Sequence, residues 1–210
     1  NPEYRARHLL FTPHPYQTNG SATGSKAEGS VGQRMENGAL LARYDVTLDA
    51  DGCLAGYRAL AGGEDGENVW YAYLETAGIS PWFNNQSYVN TLDKKAIDEF
   101  IRITYEAYKK AVGGDFGGIV PAIFTDEPQF THKTALGFAS EKRDIYLPWT
   151  DDLSRTYQSA YGEELLPCLP ELIWELRDNR VSLTRYRYHD HIAQRFADAF
   201  ANNCGEWCRR

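Results

Sequence analysis

The run GGIVPAIFTDEP, residues 117–128, decides how this chain is read. Five of the six residues from Ile119 to Phe124 are apolar, Pro121 being the odd member, and the run leads straight into Thr125, Asp126, Glu127 and Pro128. An apolar run of this kind reads as a strand buried on both faces, as strands of parallel sheets are. Acids cannot continue such a strand unless it has reached a solvent-facing rim. Asp126 and Glu127 are therefore expected at its C-terminal end, which is the ligand face of barrels and open α/β sheets. Pro128 is expected to hold Glu127 in extended backbone. Adjacent strand residues point to opposite faces. Glu127 is thus expected to face a substrate, and Asp126 to orient a substrate hydroxyl or back the site.

Upstream, DKKAIDEFIRITYEAYKKAVG (93–113) carries Ala96, Ile97, Phe100, Ile103, Thr104, Ala107 and Ala111 at helical spacing. Asp93 is expected to cap this helix and Gly113 and Gly114 to end it. SYVNTLD (87–93) before it reads as a short strand. Strand, helix, strand is the unit that builds parallel sheets.

The N-terminal third has another texture. Residues 1–10 suit a short helix or strand, and residues 12–38, rich in Gly, Ser, Thr and Asn, read as a long loop. LLARYDVTLDADG (40–52) alternates up to the tight-turn pair Asp51-Gly52. CLAGYRAL (53–60) reads as its return strand. After the turn AGGEDGEN, VWYAYLETA (69–77) completes an expected antiparallel meander. Downstream, helices are expected over residues 151–162, around 169–176 and from about Ser182 to Arg210.

The bulk numbers exclude several classes. Hydrophobic residues at 42% and aromatics at 13% describe a soluble globular chain, not a disordered one. A net charge of −7 without a basic stripe argues against a nucleic-acid partner. No apolar run reaches the roughly 18 residues a spanning helix needs, so no membrane partner is expected. The only Met is Met35, so the chain reads as a processed product or an excerpt, and a bacterial cytoplasm and periplasm both stay open. Cys53, Cys168, Cys204 and Cys208 are too sparse for a disulfide scaffold and read as small hydrophobes rather than zinc ligands. No phosphate-binding loop, dinucleotide fingerprint or zinc-protease motif occurs, so no cofactor and no metal are expected.

Glycosidic cleavage uses one carboxylic acid to protonate the leaving oxygen and a second carboxylate as nucleophile or base. Glu127 fits the first role. The stretch from Trp70 to Arg210 resembles a group of bacterial glycoside hydrolases related to the β-galactosidase and cellulase superfamily, with a looser similarity to α-L-rhamnosidase-type proteins. The resemblance rests on VWYAYLETAGISPWFNNQSYVNTLD, YEAYKKAVG, VPAIFTDEPQF, LPWTDDL and FANNCGEWCRR, and more weakly on NPEYRARHLL. In that superfamily the acid/base is a Glu ending the fourth strand, often followed by Pro. The resemblance therefore implies that Glu127 is the acid/base. The superfamily usually has Asn before it, where this chain has Asp126, which puts the usual sugar 2-hydroxyl contact in doubt.

The resemblance further implies an α/β fold, a partial (β/α)₈ TIM barrel with an inserted antiparallel hairpin. Residues 1–38 would form a barrel connection and loop, 39–78 the insertion, and 79–210 the third and fourth barrel strands with their helices. The partner carboxylate would lie beyond residue 210, and the chain alone would be inactive. Trp82, Asn84, Trp149 and Gln129 are candidate contacts to an oligosaccharide or glycoside, by aromatic stacking and amide hydrogen bonds. Two other functions fit the same residues: a carbohydrate-binding protein without catalysis, and a lyase or isomerase using Glu127 as a base.

Overall fold

The structure is a computed structural model that describes residues 1–16 and 34–210. Most of the loop expected over residues 12–38 thus lies outside the described residues. In chain order the elements are β1 (Arg7–Thr12), β2 (Ala39–Leu48), β3 (Leu54–Ala59), β4 (Val69–Thr76), β5 (Ile79–Ser80), β6 (Gln86–Ser87), α1 (Lys94–Ile103), α2 (Tyr105–Val112), β7 (Ile145–Trp149), α3 (Leu153–Tyr161) and α4 (Leu183–Phe196). A π-helical segment, Ala197–Asn202, then leads into α5 (Asn203–Cys208). The chain divides into two compact units: Asn1–Ala6 with Ile79–Phe130 and Ala193–Arg210, and Arg7–Gly78 with Thr131–Ile192.

The second of these is built on a curled five-stranded sheet in the order β3-β2-β4-β1-β7, every neighbouring pair antiparallel. Its logic follows from alternation along β1 and β4. The register pairs His8 with Glu75 and Leu10 with Tyr73, and on the other edge Leu10 with Tyr146. Those side chains share one face. Leu9, Phe11, Ala72 and Leu74 share the opposite face, where Phe11 stacks on Trp70 at 5.3 Å and Trp174 meets Trp70 edge-on at 5.1 Å. Buried ring pairs of this geometry contribute about 0.5–1.5 kcal/mol each beyond their area. The turn after β2 closes as its sequence requires. The Asp49 carboxylate accepts from the Asp51 and Cys53 amides, and Gly52 takes φ +81°.

β2 lies between β3 and β4, so the three strands are not the simple meander expected from their order. Alternation identifies strands but not their neighbours. Where β2 meets β4, Gly38 is required: a Cβ there would lie 2.3 Å from the Leu74 carbonyl oxygen, whereas one at Gly56 in β3 meets nothing within 4 Å. Gly38→Ala is expected to cost about 1–3 kcal/mol, the usual price of overpacking. Gly56→Ala is expected to be near neutral. Urea midpoints of the two variants check this, and equal midpoints would contradict the close approach.

The other compact unit is mainly helical. The Asp93 carboxylate caps α1 by accepting from the Lys95 amide at 3.0 Å. Ile97, Ile101, Tyr105, Phe200, Cys204 and Trp207 form its core. Polar ties fix the packing: Trp207 Nε1 donates to Glu106 at 2.6 Å, Asn203 to Asp98 at 2.8 Å, and Arg195 Nη2 to the Leu92 carbonyl at 2.8 Å. The N-terminal segment joins by Ala6 N–H donating to the Tyr88 carbonyl and Asn90 N–H to that of Tyr4.

The expected TIM barrel is overturned. Strands of a TIM barrel run parallel, and those of the five-stranded sheet pair antiparallel throughout. Around the expected third barrel strand the chain forms only the two-residue β6 and an antiparallel bridge from Val89 to Arg5. The expected fourth, Ile119–Phe124, is no strand at all, with Ile119 89% and Phe124 85% exposed. The physical reason lies in what the run offers. Pro121 has no N–H for a ladder, and an apolar run becomes a buried strand only where neighbours cover it. In this chain β1 fills that role instead, covered on both faces and paired on both edges. Among the described residues, no helix is long and apolar enough to cross a membrane.

Candidate functional site

The segment Thr125–Gln129 is held at both ends and open in the middle. At one end the Thr125 hydroxyl lies 3.2 Å from the Tyr105 hydroxyl of α2. At the other, Gln129 N–H donates to the Tyr88 hydroxyl at 3.2 Å, and the buried Thr91 hydroxyl donates to the Gln129 carbonyl at 2.7 Å. Between these anchors Asp126 and Glu127 are exposed. Neither carboxylate has a hydrogen-bond or ion-pair partner among the described residues.

Glu127 is not extended, as Pro128 was expected to make it: its φ is +38°. Six non-glycine residues have positive φ among the described residues, and four of them are Asn or Asp, which tolerate it. Glu127 is a longer side chain and also precedes proline, which disfavours helical backbone at the residue before it. Left-handed backbone costs an L-residue on the order of 1–2 kcal/mol. Such strain persists only where the surroundings enforce it, and it gathers at functional sites. Glu127 lies between the anchors at Thr125 and Gln129.

The other expected contacts divide between the two units. Trp82 lies in a short 3-10 turn, Pro81–Phe83, with its indole 86% exposed. Ser80 caps this turn by accepting from the Trp82 amide at 3.2 Å. Asn84 and Asn85 follow, both exposed and both left-handed, with φ +53° and +56°. Phe83 contacts the Tyr88 ring at 4.8 Å. Tyr88 thus ties the Trp82–Asn85 turn to the backbone of Gln129, on the same compact unit as Asp126 and Glu127. Trp149 belongs to the other unit. Its ring is 1% exposed in β7 and stacks on Tyr188 at 6.4 Å.

Sequence reasoning passed over two things. Tyr88, Thr91 and Tyr105 hold the acidic segment, yet nothing in the sequence sets them apart from ordinary core polar residues. Glu75 had a signal: it falls on the same side of β4 as Tyr71 and Tyr73, an inward strand position where a charge needs partners. It is fully buried, and its carboxylate accepts from His8 Nε2 at 2.8 Å, the Tyr16 hydroxyl at 2.6 Å, and the Met35 and Glu36 amides at 3.0 and 2.9 Å. Burial pushes the Glu75 carboxyl up, but these four hydrogen bonds outweigh it and leave the group below the ordinary glutamate value. A carboxylate saturated by four donors has no lone pair for a substrate, so Glu75 is a structural anchor for residues 35–38.

Among the described residues, no three His, Cys, Asp or Glu side chains gather closely enough to hold a metal ion. Comparisons of the chain with family models, with curated proteins and with solved structures give no match.

Proposed function

We propose that this chain carries the proton-donating carboxylate of a glycoside hydrolase, and that the carboxylate is Glu127. The observation that carries this reading is the strained backbone of Glu127, anchored at Thr125 and Gln129 and presenting an unpartnered acid to solvent. The substrate class follows from the Trp82 turn on the same unit. An exposed indole offers a flat face to a sugar ring, and the amides of Asn84 and Asn85 offer donors and acceptors for its hydroxyls. Asp126 is left to orient a hydroxyl. The reading rests on these residues and on the resemblance of the TDEP segment to glycosidase acid/base motifs, and requires no barrel.

A second reading, carbohydrate binding without cleavage, is favoured by the same exposed Trp82. The two separate when the longer protein that carries this chain together with the partner carboxylate is assayed on a panel of aryl glycosides of differing sugars. Turnover of one of them supports hydrolysis; saturable binding with no turnover of any sugar on the panel supports the binding reading. On an active glycoside, Trp82→Ala is expected to raise KM about tenfold with kcat little changed, the pattern of a contact made equally in ground and transition states. A fall in kcat at unchanged KM would remove Trp82 from the binding role.

A further inference from the structure

The unit built on the five-stranded sheet, which does not contain Glu127, holds a cavity of about 630 Å³ between the Leu176–Ser182 loop and the first turns of α4. Cys53, Asn179, Arg180, Arg185, Tyr186 and His189 are among the residues lining it. The size suits a mono- or disaccharide-sized ligand. Its loop wall contains two consecutive left-handed residues, Asp178 at φ +59° and Asn179 at φ +53°.

The charge pattern is unusual for a chain of net charge −7. Arg180 and Arg185 line the cavity together with His189, whose Nε2 has Lys133 Nζ 3.5 Å away. Against these three cations stand two carboxylates, and both are engaged: Glu175 accepts from Arg185 at 2.6 Å, and Asp190 from the Tyr161 hydroxyl at 2.7 Å. Arg185 is also fixed by the carbonyls of Glu171 and Trp174. Among the described residues, Lys133 donates only to the Leu172 carbonyl and the His189 ring. Arg180 uses Nε on the Arg177 carbonyl, and its two terminal nitrogens have no partner among the described residues. Partial desolvation and then the charge of Arg185 lower Lys133, while desolvation and then Lys133 and Arg185 lower His189. Cations crowded in this way are relieved by a bound anion. Tyr186 adds an exposed ring at the rim.

We propose that this cavity is a second binding site, for a sugar acid, whose carboxylate is held by the terminal nitrogens of Arg180 and whose ring lies against Tyr186, the charges of Arg185 and Lys133 adding attraction. The site does not depend on the role of Glu127. Calorimetric titration of the 210-residue chain with glucuronate, glucose and inorganic phosphate tests it. Glucuronate is expected to saturate, with glucose at least about tenfold weaker, since a charge-assisted contact is lost. Arg180→Gln and Tyr186→Ala, both at exposed positions, are each expected to weaken glucuronate about tenfold. Glu127→Gln is expected to leave it unchanged. No saturation by glucuronate, or glucose binding as tightly, overturns the proposal. Phosphate binding as tightly as glucuronate and indifferent to Tyr186→Ala overturns the sugar-acid assignment in favour of a bare anion site. Loss of binding in Glu127→Gln but not in Arg180→Gln would move the sugar acid to the other unit and likewise overturn it.

Discussion

In the longer protein that carries this chain with its partner carboxylate, Glu127→Gln is expected to cut turnover of glycosides with poor leaving groups by about 10²–10⁴-fold, the contribution typical of a positioned general acid. On glycosides with strongly activated aryl leaving groups the same variant should lose far less, because such groups depart without a proton. The amide keeps the shape of the side chain and the open position between the Thr125 and Gln129 anchors, so a folding defect is not expected. A uniform loss on both substrate kinds would mean that Glu127 does not donate the proton, and no loss on either would remove it from the mechanism. A companion variant reads the strain. Glycine adopts positive φ without steric cost. Glu127→Gly should therefore raise the unfolding free energy by up to about 1 kcal/mol while losing the activity that Glu127→Gln loses. Stability falling in the glycine variant would show that the φ of +38° is not strained and would withdraw the observation on which the functional reading stands.

The sequence exposes some of this and conceals the rest for identifiable reasons. Alternation around Asp51-Gly52 announces an antiparallel hairpin, and Asp93 and Gly162 punctuate helices because a side-chain cap and a left-handed stop act through local geometry. The direction and order of strands are another matter. They depend on which apolar run finds neighbours on both edges, and periodicity alone is equal between HLLF in β1 and IVPAIF at residues 119–124. The first became a buried strand paired on both edges; the second stayed exposed. At the candidate site the sequence singles out Glu127, Asp126, Trp82 and Asn84, and the structure leaves all four exposed. The backbone of Glu127 was not, because proline argues for an extended conformation and the anchoring hydroxyls of Tyr105 and Thr91 come from distant positions in the chain. Trp149 shows the opposite failure: an aromatic rich in binding potential proved to be core.

Removing the Glu75 carboxylate should produce the largest loss of stability from a single side chain. In Glu75→Gln one carboxylate oxygen becomes an amide nitrogen. Oε1 accepts from the Tyr16 hydroxyl and the Glu36 amide, and Oε2 from His8 and the Met35 amide, so either orientation sets a donor against two donors. Leaving such buried partners uncompensated costs about 3–5 kcal/mol, a large share of the roughly 5–15 kcal/mol that holds a typical domain folded. The urea midpoint should fall accordingly, and amide exchange at Met35, Glu36 and Gly38 should accelerate more than elsewhere, because Gly38 N–H reaches Glu75 through the Tyr16 hydroxyl. The pH dependence gives an independent check. The folded-state value of Glu75 lies below its ordinary 4.5, so the unfolded chain binds the proton first on acidification. The stabilisation is therefore complete above about pH 4.5 and is lost as pH falls through the lower folded value. The gap in stability between wild type and Glu75→Gln should accordingly be widest near neutrality and narrow on acidification below pH 4.5. A gap of equal size at neutral pH and well below that value would show that the carboxylate charge contributes nothing, and that the four donors need only the shape of the side chain they surround.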